Sequence, residues 1–171
     1  MNLIKRLYGQ SSDNLIGHAN HLVDSAKLYA IGSFSTASNS YYILLKTNPK
    51  DWDFVITVAA VYIAATRLNN LELDDNRQEK LMEIVAKNIR EWNRDGINAF
   101  EDCRRVYESE YARFVNMTEY QKNNSFLTAD ALGVWIVLNI LQRSPETDEE
   151  ISLVRATGSM VTGAFFDYWT T

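Results

Sequence analysis

Two histidines are the residues whose type and spacing first suggest metal chemistry. His18 and His21 are the only histidines, and they lie three positions apart in a segment with helical periodicity. Zinc needs four protein ligands, or three and an open position, and the chain has neither a third histidine nor a second cysteine. A ferritin-like centre needs Glu three residues before each histidine, whereas Leu15 precedes His18. We therefore expect two histidines at the edge of a helix, and neither a metal nor a cofactor.

The single cysteine, Cys103, is the second candidate for chemistry. Its position falls on the apolar stripe of a predicted helix, and the neighbouring Arg104 and Arg105 project away from that stripe. A catalytic thiol needs a partly exposed, electropositive setting with a histidine nearby. We therefore predict a buried structural cysteine. No intrachain disulfide can form, which suits a reducing compartment.

A cluster of Ser and Thr residues over 33–40 could be taken for a nucleophile loop. The segment begins Gly32-Ser33-Phe34-Ser35-Thr36 and lacks the second glycine of a G-x-S-x-G elbow. No G-x-G-x-x-G or P-loop sequence occurs in the chain either. Small residues at these positions, and at Gly158, Ser159 and Gly163, instead favour close approach between helices. No catalytic residue is predicted.

Acidic residues concentrate at two predicted helix N-termini. There the helix dipole alone can account for them, because it favours negative charge in the first turn. The functional interpretation is an acidic surface that binds a basic partner protein. The candidate partner-binding residues are Glu72, Asp74, Asp75, Glu146, Asp148, Glu149 and Glu150.

Several polar residues interrupt otherwise apolar helices. A buried carboxylate needs a partner, which Arg155 or Arg67 could supply. The favoured interpretation is a hydrogen-bond network that fixes helix register. The alternative is a small-ligand site, in which a few polar groups lie among aromatic side chains. The candidate pocket residues are Asp130, Trp135, Asn139, Asp167, Tyr168 and Trp169.

The two prolines indicate what kind of elements position these residues. Asn48-Pro49 and Ser144-Pro145 each place an N-capping residue before a proline, and an acidic residue follows. Proline loses nothing at the first helical position, because its missing N–H would have had no partner there. No proline is left to break a helix or end a strand, so the chain is predicted to be all-α.

Apolar periodicity then divides the chain into helices. The longest apolar run, 54–65, predicts a buried central helix over about 49–68, because it is apolar on nearly all sides. A short helix is predicted over 1–9, and breaks are predicted at Gly32 and near Gly96. Later helices are predicted to be capped by Asp74 or by Asp75 with Gln78, by Thr128 and by Ser144. The prediction is one domain over 1–171, an irregular bundle of about six or seven helices.

Composition excludes some classes of function. The net charge is −5 and no run of Lys or Arg offers a stripe for phosphates, so nucleic acid is not an expected ligand. The longest apolar run is far shorter than the ~20 residues that span a bilayer. The first residues lack the apolar region of a secretory signal. We expect a cytoplasmic protein without membrane contact.

The leading hypothesis is a soluble helical module for protein–protein interaction, such as an immunity-type or inhibitory partner of a basic protein. The alternative is a small-molecule-binding protein with an aromatic-lined pocket. A metal-independent enzyme is the third hypothesis, and its only feature is the stacked pair Glu79 and Glu83. A homodimer is open as well, through Leu3-Ile4-Leu7-Tyr8 or the Phe165–Trp169 cluster.

Overall fold

The computed structural model describes residues 12–170, with side chains from residue 14. In this range the chain is all-α, as predicted, and contains no strand. Two short 3-10 helices, Tyr42–Lys46 and Leu68–Asn70, flank the second α-helix. The helix predicted over 1–9 lies outside the described residues, and the single-domain assignment stays a prediction. The α-helices are α1 Ser12–Ser40, α2 Pro49–Arg67, α3 Asp75–Trp92, α4 Gly96–Val115, α5 Thr118–Lys122, α6 Leu127–Leu141 and α7 Asp148–Phe165.

Helix α2 is the predicted central helix. Its Trp52 and all residues over 55–65 are buried, and α1, α4, α6 and α7 pack around it. The helix begins as the sequence predicts. The Asn48 side chain accepts a hydrogen bond from the Lys50 backbone N–H at 3.0 Å, and Pro49 occupies the first helical position.

Two indole hydrogen bonds show how α1 and α7 run relative to α2. The Trp52 indole, at the start of α2, donates to the Ala30 carbonyl in α1 at 3.1 Å. The Trp169 indole, just after α7, donates to the Ala64 carbonyl near the end of α2 at 2.7 Å. Helix α1 is therefore antiparallel to α2, and α7 is parallel to it. We call the end where α1 finishes and α2 and α7 begin the Pro49 end. We call the opposite end, where α2 finishes and α3 begins, the Arg67 end.

The break predicted at Gly32 is wrong, because α1 continues to Ser40. Gly32 is exposed, and one glycine costs a helix only about 1 kcal/mol. Packing supplies more than this, since the next residue, Ser33, is buried and its hydroxyl accepts from the Trp52 indole at 3.2 Å. The chain leaves the α-conformation only at Tyr41, ahead of Tyr42–Lys46.

The break predicted near Gly96 is confirmed. Helix α3 ends at Trp92 and α4 begins at Gly96. A Cβ at Gly96 would lie 2.7 Å from the Ile89 side chain, so a larger residue would push the two helices apart. Of the two predicted caps of α3, Asp74 is the one that forms, since its carboxylate accepts from the Arg77 backbone N–H at 2.9 Å.

Two predicted starts are wrong. Helix α6 begins at Leu127, so Thr128 lies inside its first turn. Helix α7 begins at Asp148, and Ser144-Pro145 lies in the preceding loop. The Thr147 hydroxyl accepts from the Glu150 N–H at 3.2 Å, and the Glu150 carboxylate accepts from the Thr147 N–H at 3.2 Å. This capping box satisfies two free backbone amides at once, whereas Ser144 before Pro145 would satisfy fewer of the free amides at a helix start.

Candidate functional site

Helices α6 and α7 cross with their backbones in contact. A Cβ added to Gly158 would lie 1.8 Å from the Ala129 carbonyl oxygen, and one added to Gly133 would lie 1.8 Å from the Val154 carbonyl oxygen. Only glycine fits at both positions. The predicted role of small residues is therefore confirmed at Gly158, while Gly163 is exposed and has no neighbour within 4 Å.

This crossing brings a buried carboxylate and a guanidinium together. Arg155 of α7 donates from Nε to Asp130 Oδ1 at 3.0 Å and from Nη2 to Asp130 Oδ2 at 2.5 Å. Asp130, on α6, is buried, whereas the Arg155 side chain is 44% exposed. The hydrogen bonds to Asp130 raise the pKa of Arg155. The sequence-based expectation that Arg155 or Arg67 partners a buried carboxylate holds for Arg155.

The short helix α5 completes the cluster. The Tyr120 hydroxyl donates to Asp130 Oδ2 at 2.6 Å. Burial, and then the bond to Asp130, raises the pKa of Tyr120 to about 12, so the phenol keeps its proton at neutral pH. Arg155 Nη2 also lies 3.4 Å from Glu119, and the guanidinium carbon lies 4.6 Å from the centre of the Phe126 ring.

An open cavity of about 680 Å³ lies over this cluster. Its floor includes Phe114 and Tyr120, whose rings stack with centroids 5.2 Å apart. Tyr41, which follows α1, and Ile151, in the first turns of α7, place the cavity toward the Pro49 end. Its apolar lining is Tyr41, Phe114, Val134, Ile151, Val154 and Ala156, and its polar lining is Glu119, Tyr120, Asp130, Ser152 and Arg155.

Large apolar side chains are exposed beside the cavity. The Ile43 backbone N–H donates to the Glu149 carboxylate at 3.2 Å, which joins Tyr42–Lys46 to the start of α7. Tyr42 is 72% exposed, Leu45 is 59% exposed and Ile151 is 55% exposed. We name this region the Pro49-end surface, composed of Tyr42, Leu45, Glu146, Asp148, Glu149 and Ile151.

The candidate partner-binding residues do not form one surface. Glu146, Asp148 and Glu149 are exposed at the Pro49 end, whereas Glu72, Asp74 and Asp75 are exposed at the Arg67 end. The 19 residues of α2 separate these ends by roughly 28 Å at the rise of an α-helix.

Glu150, the seventh candidate, is buried at 2% exposure and is not available to a partner. It accepts from Arg143 Nη2 at 2.6 Å and from the Glu146 backbone N–H at 2.7 Å. The bond to Arg143, followed by the bond to this amide, lowers the pKa of Glu150 to about 2. Its role is to hold the start of α7.

The candidate pocket residues also separate, since only Asp130 lines the cavity. The Trp135 indole donates to Asp102 at 2.9 Å, and the Asn139 amide donates to the Trp135 carbonyl at 2.9 Å. Asp167 is exposed, and the Tyr168 hydroxyl donates to the His18 carbonyl at 2.9 Å. Phe165 and Trp169 are buried in the main hydrophobic core, where Trp169 packs against α2.

The remaining chemical candidates are placed apart from the cavity. Cys103 is buried as predicted, and burial raises the pKa of its thiol well above the usual range. His18 packs edge-on against Tyr168 and His21 is exposed. Glu79 and Glu83 are exposed on α3. Within residues 12–170 no group of three His, Cys, Asp or Glu side chains is placed to hold a metal ion.

Sequence reasoning missed most of the cavity. Phe114 and Tyr120 belong to a small apolar cluster around α5. Glu119 lies beside Tyr120 in α5, and Tyr41 comes from the segment that follows α1. The sequence does carry a signal for part of it, because Asp130 and Arg155 are both polar residues in predicted apolar helices. Their joint surroundings depend on a helix crossing that no sequence pattern specifies.

Comparisons with known proteins supply no further constraint. No family model, no curated protein and no solved structure matches the chain. Among the described helices, none is both long enough and apolar enough to cross a lipid bilayer.

Proposed function

We propose that the protein is a protein-binding module that engages a basic, amphipathic segment of its partner through the Pro49-end surface. One observation carries the proposal. Three large apolar side chains, each more than half exposed, lie on the start of α7 and on the segment Tyr42–Lys46, which a hydrogen bond joins to it. The same helix start presents three exposed carboxylates. Single exposed apolar residues are ordinary, whereas a group of them rimmed by polar residues is typical of interaction sites.

Charge supports the choice of a basic partner. Glu146, Asp148 and Glu149 lie on one side of the surface, and Glu119 continues the acidic character toward the cavity. The cations Lys46 and Lys50 at the same end belong to Tyr42–Lys46 and α2. Arg143, next to α7, pairs with the buried Glu150 and lies 3.9 Å from Glu146, so Asp148 and Glu149 keep their charge unpaired among the described residues. Complementary charge speeds association and orients the partner, and apolar contacts then slow its release.

The test uses a synthetic amphipathic peptide with lysine and leucine on one face, and the same peptide with glutamate in place of lysine. Fluorescence anisotropy measures both dissociation constants between about 50 and 500 mM NaCl. We expect the basic peptide to bind at least about tenfold more tightly, and its affinity to fall with salt because the contact is electrostatic.

The two acidic groups provide a matched pair of variants. Glu146→Gln/Asp148→Asn/Glu149→Gln removes three charges at the Pro49 end. Glu72→Gln/Asp74→Asn/Asp75→Asn removes three at the Arg67 end and keeps an asparagine as the α3 cap. The first variant should weaken the basic peptide at least about tenfold, and the second should change its affinity less than about twofold. Equal losses would mean that net charge alone attracts the peptide, and the proposal would then be wrong.

A small-molecule site is the second candidate function. The observation that favours it is the cavity over Asp130, which is apolar on most sides and carries a few convergent polar groups. Thermal-shift screening tests it, because a ligand at a hundred times its Kd stabilises the fold by about 2.7 kcal/mol. The hit should lose its effect when Val134→Trp fills the cavity.

A further inference from the structure

The polar groups of the cavity are mostly hydrogen-bond acceptors. The Glu119 carboxylate is 66% exposed and makes one contact, at 3.4 Å, with Arg155. The Ser152 hydroxyl donates its hydrogen to the Glu149 carbonyl at 2.8 Å, which leaves its oxygen to accept. The Tyr120 hydroxyl likewise donates its hydrogen to Asp130. A ligand that brings donors therefore finds more partners than one that brings acceptors.

The charge of the cavity points the same way. Two carboxylates, Glu119 and Asp130, face a single guanidinium, that of Arg155. Arg155 directs Nε and Nη2 toward these carboxylates and lies against the Phe126 ring. The excess charge is negative, so a cation lowers the electrostatic energy of the cavity and an anion raises it.

The apolar walls restrict the cation further. Tyr41, Phe114, Val134 and Ile151 line the cavity with aromatic and branched surface. An alkyl stem gains from burial there, as the stem of a lysine does on apolar surfaces, while its ammonium reaches polar groups. Aromatic faces within reach of the ammonium add a cation–π attraction.

We infer that the cavity is the anchor pocket for a lysine side chain of the partner, whose ammonium donates to Glu119 and whose stem packs on Ile151 and Phe114. The inference rests on the proposed function and names the part of the partner that enters the protein. The occupant is a primary ammonium on an unbranched alkyl stem. The side chain of the partner enters beside the Pro49-end surface, because Ile151 belongs to both that surface and the cavity wall.

The first experiment uses three small probes of equal length: pentylammonium, pentanol and pentanoate. Methyl NMR signals of Ile151 and Val134 report binding to the cavity. We expect pentylammonium to shift both signals with a Kd at least about fivefold below that of pentanol, and pentanoate to be the weakest probe. Pentanoate binding more tightly than pentylammonium would overturn the inference, since Arg155 would then select anions. Equal binding of pentanol and pentylammonium would overturn it as well.

Two charge-removing variants make the result specific. Glu119→Gln removes the exposed cavity carboxylate. Glu91→Gln on α3 is the control, because its side chain is 64% exposed and it also makes one ion pair, with Lys87 at 3.7 Å. Glu119→Gln should weaken pentylammonium at least about threefold, and Glu91→Gln should leave it unchanged. An unchanged Kd in Glu119→Gln contradicts the assigned role of that residue.

The basic peptide separates this inference from the proposed function. If Glu119→Gln leaves peptide affinity unchanged while the Glu146→Gln/Asp148→Asn/Glu149→Gln variant weakens it, the surface binds the partner and the anchor pocket is wrong. If neither variant affects the peptide, the proposed function fails, whatever pentylammonium does. If both weaken it, replacing one peptide lysine at a time by norleucine should identify a single position with a loss of at least about tenfold.

Discussion

Two glycines of α7 allow the same substitution, glycine to alanine, to be tested at a closely packed position and at an open one. A Cβ at Gly158 would lie 1.8 Å from the Ala129 carbonyl oxygen, whereas a Cβ at Gly163 meets no atom within 4 Å. Both residues lie within Asp148–Phe165, so both gain about 0.5–1 kcal/mol of helix propensity from alanine. The variants Gly158→Ala and Gly163→Ala therefore differ only in what the new methyl group touches.

The structure gives the size of the difference. Ordinary van der Waals contact begins at 3.4 Å. Helices α6 and α7 must then separate by roughly 1.5 Å at the crossing, and such a gap removes more than half of the dispersion attraction there. Overpacking of this kind costs typically 1–3 kcal/mol and occasionally more. The 1.8 Å approach puts Gly158→Ala at the upper end of this range, about 3 kcal/mol. With the gain in propensity subtracted, we expect it to lower the free energy of unfolding by about 2–2.5 kcal/mol. Gly163→Ala should raise it by about 0.5–1 kcal/mol.

Urea unfolding followed by circular dichroism at 222 nm measures both free energies, and the m-values show whether the same surface is exposed on unfolding. In a thermal melt Gly158→Ala should lower Tm by about 5–10 °C, given the size of the chain. The reasoning is refuted if Gly158→Ala unfolds within about 0.5 kcal/mol of the wild type. It is also refuted if the two variants shift stability in the same direction by similar amounts.

Four further predictions concern buried groups. Asp130→Ala should lower stability by about 2 kcal/mol, less than for a fully buried pair because Arg155 can be rehydrated. Tyr120→Phe should cost about 1 kcal/mol, and urea unfolding that shows no loss in either variant would contradict the network. The lowered pKa of Glu150 adds stability above its ordinary value of 4.5 and loses it as pH falls toward about 2. Glu150→Gln should therefore show a shallower fall in stability over that window, and a slope as steep as that of the wild type would be evidence against the Arg143 pair. Cys103 should react with a thiol reagent only as fast as the protein unfolds, since its thiol is buried and its pKa is raised. A rate independent of urea concentration would contradict this.

Local patterns determined the helical class and several boundaries. The Asn48-Pro49 cap, the burial of α2, the break before Gly96 and the burial of Cys103 follow from capping chemistry and apolar periodicity. These features depend on residues within one or two helical turns of each other. The interactions that decide them can therefore be recognised in the local sequence.

Where two local signals compete, the sequence was less informative. Gly32 suggested a break that packing of α1 against Trp52 overrides. Ser144-Pro145 suggested a helix start, but the capping box of Thr147 and Glu150 satisfies more backbone groups three residues later. In both cases the misleading residues, Gly32 and Ser144-Pro145, do not make the contacts that stabilise the observed helix.

The candidate site was decided by tertiary structure alone. Its walls come from segments between Tyr41 and Ala156, and the glycine contacts of α6 and α7 set the distance between Asp130 and Arg155. The acidic residues, which one interpretation joined into a single surface, are held at opposite ends of α2. The sequence indicates which residues are buried or act as caps, because apolar periodicity and capping involve residues close together in the chain. Which distant side chains meet depends on how the helices cross, and that is a property of the assembled core.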